Sequence, residues 1–336
     1  MQLRRLAAEH GVDVGVVVLV VVVAGLYVHA VRTMAGSFGF PLDDSYIYLT
    51  YARQIGRGRP FSYFDGSGFT AGATSMLWPI VIAPLWVVGF RGSALAPVVF
   101  VLCAALLAAT AMIAFRIGRR TLGSVGGACA AAFIVFCGPL AWAYLAGMEV
   151  ALAGFLLLFS ALALIAHEPG TRPRRGLLVL LAATAIARPE MAFVVAPVVG
   201  GCALRSAWRR QFADALRWLA PLAAPLCVAL LDRAFAGHFV PNTAIAKSHM
   251  YMPGFNGDYW AETLRKQTKK LFEALFWKEL PQNRWWAPRL VLALWLLGAG
   301  RLIAWAIRER RFAGVALLVG AAPLLFLAVL ATSGLW

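Results

Sequence analysis

The chain has 336 residues, 61% of them hydrophobic and only 14% charged, a balance that excludes an ordinary soluble globular protein and reads as a polytopic membrane protein. Its formal net charge of +16 would suggest nucleic acid as the partner of a soluble chain. Here the Lys and Arg cluster in short breaks between apolar runs, so membrane topology explains them and a nucleic-acid role is set aside.

A spanning helix needs roughly 20 mostly apolar residues. The first such run is DVGVVVLVVVVAGLYVHAV, Asp13 to Val31, preceded by Arg4 and Arg5. It is long for the apolar core of a signal peptide, so an uncleaved span is expected. Next comes FPLDDSYIYLTYARQIGRGRPFSY, Phe40 to Tyr63, in which Ser45 to Ile55 has the composition of an amphipathic surface helix. Further spans are expected at Ala94 to Phe115, Val125 to Leu145, Val150 to Ala166, Gly176 to Ala187, Met191 to Leu204, Trp218 to Ala236, Arg289 to Ile307 and Ala313 to Thr332. The five cysteines lie within apolar runs without metal-ligand spacing and read as small buried apolar residues, with no disulfide framework and no zinc site.

The stretch TSMLWPIVIAPLWVVGF, Thr74 to Phe90, is resolved by the positive-inside rule. If it does not span, the basic breaks RIGRR (from Arg116), TRPRR (from Thr171), RSAWRR (from Arg205) and RERR (from Arg308) all share the cytoplasmic side with the basic N-terminus. Pro79 and Pro84 inside it suit a bent interfacial or re-entrant helix. The expectation is therefore an all-α protein of nine spans with its N-terminus inside. Residues 1–236 would form the main membrane module with a long first outer loop over 32–93. Residues 237–336 would hold a second outer loop and two more spans.

That topology brings Asp43 and Asp44, Glu149, the Arg188–Glu190 turn, and Asn242 and Lys247 to one side. Ionisable groups at a membrane are functional by default, because an unpaired one is costly there. Each also has a structural reading. Asp43 or Asp44 can cap a helix, Glu149 can cap the helix after it, Arg188 and Glu190 can form a turn-stabilising ion pair, and Lys247 can be a solvated surface lysine. The segment ETLRKQTKKLFEALFWKEL, Glu262 to Leu280, reads as an interfacial amphipathic helix; a membrane-surface anchor fits it better than a dedicated lipid-phosphate site.

In content and order PLDDSYIYLTYARQIGRGRPFSY, TAGATSMLWPIVIAPLW, AGMEVALAGFLLL, ARPEM and VPNTAIAKS resemble the bacterial GT-C membrane glycosyltransferases, most of all the group that includes the actinobacterial terminal arabinofuranosyltransferases. The resemblance covers about Met1 to His249. It implies an all-α polytopic enzyme of the bacterial cytoplasmic membrane, with its active site facing the periplasm or cell exterior. It also implies a polyprenyl-phosphate sugar as donor, transfer with inversion, and a cell-envelope glycan, lipid or protein as acceptor. Where some relatives carry a Glu-Gly-Tyr-Thr-Ser-type sequence, this chain has Ala71 to Ser75 as AGATS, so an acidic contribution there is missing. Many relatives continue past the point where this chain ends, which leaves acceptor recognition open.

Attack of an acceptor hydroxyl on an anomeric carbon needs a base within hydrogen-bond reach. Asp43 matches the first acid of the family's acidic pair and is the candidate base. Asp44 would position it, or share a divalent cation, Mg or Mn, with Glu149 through oxygen ligands. The leaving lipid phosphate calls for a cation, with Arg188 or Lys247 ahead of Arg53 and Arg57. Glu190 and Asn242 complete the expected substrate-binding set. The rival functions are a membrane transporter or lipid flippase, and a catalytically inactive scaffold of the same fold. A transporter would place its charges near the midplane and often shows repeated halves; no repeat is visible here.

Overall fold

The computed structural model describes residues 2–239, 262, 265 and 286–321, and among these there is no strand. Asn242, Lys247 and the expected amphipathic helix, apart from Glu262 and Arg265, lie outside the described residues. Four helical stretches are long and apolar enough to cross a membrane: Gly11–Ala35, Gly92–Phe136, Met191–Trp208 and Phe212–Ala236. A bent pair, Gly138–Leu145 with Val150–Ala166, makes a fifth if it counts as one crossing. The protein is thus all-helical and built for a bilayer.

Helix α1 (Gln2–Ala35) buries Val16, Val20 and Ala24, a stripe at intervals of four that lies along one helix face. Tyr27 of α1 stacks on Phe100 with ring centroids 5.6 Å apart. Val14, Val18, Val21, Val22 and Leu26 remain exposed, which water would penalise and lipid does not. Helix α2 (Asp43–Gly56) matches the expected amphipathic segment but starts two residues earlier, so both aspartates sit inside its first turn. Negative charge is favoured there by the unsatisfied N–H groups and the helix dipole. Helix α2 buries Ser45, Tyr48, Tyr51, Ala52 and Gln54 and packs on α3 (Leu77–Val87). At 11 residues α3 rises only about 16 Å, roughly half the thickness of a hydrocarbon core. That length suits the non-spanning reading of the Thr74 to Phe90 segment.

Helix α4 (Leu95–Phe136) is broken at Gly123, whose φ of 81° and ψ of −178° are non-helical. A Cβ placed on Gly118 would lie 2.8 Å from the Gly127 Cα, and one on Gly127 would lie 2.7 Å from the Phe115 carbonyl. Nine residues of continuous helix would separate Gly118 from Gly127 by about 13 Å, so the chain reverses at Gly123 into a hairpin. Its first arm carries the expected span beginning at Ala94, whereas the expected span Val125 to Leu145 is not one helix: the second arm holds only its first part, and Cys137 in extended conformation breaks it. The second arm ends at Phe136, and after Cys137 the chain continues as α5 (Gly138–Leu145). Helices α6 (Val150–Ala166), α7 (Arg175–Ala187) and α8 (Met191–Trp208) follow. They pack in sequence around a second core that includes Leu164, Leu181, Val195 and Val199. Helices α9 (Phe212–Leu219) and α10 (Ala223–Ala236) join through a 3-10 turn. Beyond them lie α11 (Trp286–Glu309) and α12 (Phe312–Ala321).

Nine crossings would have to include short helices. The 13 residues of α7 rise about 20 Å against a core of about 30 Å. Charge nonetheless separates to two ends. At one, Asp13 meets Arg116 at 3.0 Å, Arg311 donates to the carbonyls of Ile165 and His167, and Arg209 lies against Gly170. Helix α6 carries the chain about 25 Å from that end to the other, where Glu149 and Arg188 meet.

Candidate functional site

The axes of α5 and α6 meet at 112°, and the turn between them is pinned from two sides. The Ala146 carbonyl accepts from Ser45 Oγ at 2.6 Å, and the Gly147 carbonyl accepts from Trp78 Nε1 at 3.1 Å. Gly147 has a φ of 80°, and a Cβ on it would lie 2.6 Å from the Phe40 ring. Glycine is required there on both counts. The turn therefore fixes the start of α2, the start of α3 and Phe40 around Glu149, which opens α6.

Glu149 is 1% exposed, and its Oε1 accepts from Arg188 Nη1 at 2.7 Å. Arg188 ends α7 in extended conformation and gives its Nε to Glu190 Oε1 at 2.6 Å. The expected turn pair between Arg188 and Glu190 is present, and the same guanidinium also bridges to Glu149. Burial opposes the Arg188 charge, but Glu149 and then Glu190 outweigh it and hold its pKa above that of an ordinary arginine. Two carboxylates to one guanidinium leave this trio with a formal charge of −1.

Tyr48, one helical turn beyond Asp44, lies against Glu149 and Thr74. Burial, and then the Glu149 carboxylate, push its hydroxyl well above the usual phenol range, so it stays a proton donor at physiological pH. Asp44 is half-buried and Asp43 exposed. The Asp43 Oδ1 accepts the Asp44 N–H at 2.9 Å, which occupies one carboxylate oxygen; the N-cap position itself is Leu42, with no side-chain cap.

The structure thus gathers Asp43 and Asp44, Glu149, Arg188 and Glu190 at one end of the helices, from three separate parts of the sequence. Arg53 and Arg57 are not with them. They lie about 14 and 20 Å along α2 from the aspartates by helical rise, and Arg57 is engaged with Asp65 at 3.5 Å and the Trp86 ring. Sequence reasoning did not single out Ser45, Tyr48, Thr74 or Trp78. The available signal for Tyr48 was its spacing of four from Asp44, which puts both on one helix face. No group of three metal-ligating side chains occurs among the described residues. Glu149, the partner expected to share a divalent ion with Asp44, holds Arg188 on its Oε1, and no step is assigned to an ion.

Comparison of the chain with models of protein families, with curated proteins and with solved structures finds no match.

Proposed function

We propose that this protein is a membrane glycosyltransferase that moves a sugar from a polyprenyl-phosphate donor to a cell-envelope glycan, lipid or protein acceptor, with inversion, at the outer face of the bacterial cytoplasmic membrane. In this reading the chain crosses nine times with its N-terminus inside. The observation that carries it is the meeting, at one end of an apolar helical body, of an acidic helix start with a buried Glu149–Arg188–Glu190 cluster. The sequence resemblance adds the donor class. A transporter would hold such groups near the middle of its spans; the nine-crossing reading puts them at the outer rim.

The acceptor hydroxyl oxygen forms its bond to the anomeric carbon as the bond from that carbon to the phosphate oxygen breaks. The phosphate leaves with the bonding electron pair, and the hydroxyl proton passes to Asp43. Asp44 positions Asp43 and the acceptor. Glu149 and Glu190, held by Arg188, accept sugar hydroxyls, and Tyr48 donates beside them. Among the described residues the partners of Arg188 take its Nε and Nη1, and Nη2 remains for a phosphate oxygen. Incubating the purified protein with a panel of polyprenyl-phosphate sugars and an envelope lipid extract should release polyprenyl phosphate. No release from any donor, with the protein folded, would refute the assignment.

A further inference from the structure

A cavity of about 240 Å³ lies beside the acidic cluster, between Ala73–Met76, the junction of α7 with α8, and α10. Thr74, Pro189, Phe193, Asp232 and Phe239 are among the residues that line it, and most of the others are apolar. Asp232 sits in the last turns of α10 and is 1% exposed, yet neither of its carboxylate oxygens accepts a hydrogen bond from a described residue. His238, on the turn after α10, bears on this carboxylate through its charge, but it does not satisfy either oxygen by hydrogen bonding, and a buried carboxylate whose oxygens accept nothing is unfavourable and calls for an explanation. The cavity in front of Asp232 provides one. Thr74 lines the same cavity and also touches Tyr48, so the space adjoins the Asp44–Tyr48–Glu149 side of the cluster.

We infer that this cavity is a sugar subsite, in which Asp232 accepts hydrogen bonds from two neighbouring hydroxyls of the donor sugar and Phe193 and Phe239 cover the C–H face of its ring. The inference rests on the glycosyltransferase reading and adds where the transferred sugar is held. The chemistry selects this ligand over others. A polyprenyl tail would leave the carboxylate unsatisfied, and a phosphate would be repelled by it. A sugar ring offers paired hydroxyl donors for Asp232, a further hydroxyl for Thr74, and apolar C–H edges for two rings that are more than half exposed.

The test compares thermal stability of the detergent-solubilised wild type and Asp232→Asn with two probes: a short-chain polyprenyl phosphate, and the same lipid carrying a pentofuranose or a hexopyranose. Without ligand, Asp232→Asn should melt at or above the wild-type temperature, since it removes a buried charge whose oxygens accept no hydrogen bond from a described residue. A lower melting temperature would show that a protein group already pairs with Asp232 and would overturn the inference. The wild type should be stabilised by the bare lipid and further by one of the sugar-bearing lipids. In Asp232→Asn that sugar-dependent excess should disappear, with affinity for the sugar lipid lowered about tenfold or more and the response to bare lipid unchanged. An excess that persists in Asp232→Asn, or a wild type that responds only to bare lipid, overturns the subsite alone. A wild type that responds to neither lipid removes the glycosyltransferase reading and the subsite with it.

Discussion

Asparagine at position 43 keeps the size of Asp43 and can still accept the Asp44 N–H, but it cannot take a proton. Asp43→Asn should therefore insert and melt like the wild type while sugar transfer falls roughly a hundredfold or more. Wild-type transfer by that variant would remove Asp43 as the base; joint loss of folding and transfer would return the pair to a purely structural role. A second residue-scale test concerns the pairing of Glu149 with Arg188. Removing one member of a buried ion pair leaves an uncompensated charge, at a cost of about 3–5 kcal/mol. Arg188→Ala should therefore lower the melting temperature sharply, and adding Glu149→Gln should restore much of it. If the double variant melts no higher than Arg188→Ala, the buried Glu149 charge is not what Arg188 stabilises. Both residues were legible in the sequence as candidates, because ionisable groups stand out in apolar surroundings. Their bond, across 39 residues, was not.

At the scale of elements, the α4 hairpin depends on small residues where its arms touch. Leucine at Gly127 would drive a side chain into the backbone of Phe115 and Arg119, which cannot move aside as a flexible side chain would. Gly127→Leu should lose most monodisperse protein after solubilisation, as seen by size-exclusion chromatography. Gly25→Leu, with nothing within 4 Å of its added Cβ, should match the wild type. Equal yields from the two variants would argue against close packing of the hairpin arms. The sequence placed two apolar runs on either side of the RIGRR break, because hydropathy and charge are summed along the chain. That already implied a reversal; the residue at which the chain turns was hidden, since it rests on the φ of Gly123 and on contacts between its flanks. The surface helix α2 was legible within two residues, but the face that Tyr48 presents to Glu149 depends on where α6 begins in space.

For the whole molecule, the two charged ends set the orientation test. The end formed by Arg116, Arg209 and Arg311 carries the basic breaks, and the proposed topology puts it on the cytoplasmic side by the positive-inside rule. In a cysteine-free background, a cysteine at Ser67 should react with an impermeant thiol reagent in intact cells. One at Thr171 should react only after the membrane is opened. Labelling of both from the same side would refute the nine-crossing topology.

The sequence by itself determined the helical membrane class, the amphipathic surface helix and the segregation of basic breaks from the acidic candidates. Each of these follows from composition and periodicity read along the chain. Only the tertiary structure decided that Arg188 bridges Glu149 to Glu190, that Tyr48 stands against Glu149, and that Asp232, in sequence one polar residue near the end of an apolar run, faces a cavity with neither oxygen hydrogen-bonded to a described residue. The physical reason is that hydropathy adds up residue by residue, whereas an ion pair or an unsatisfied carboxylate exists only relative to the neighbour that packing brings to it.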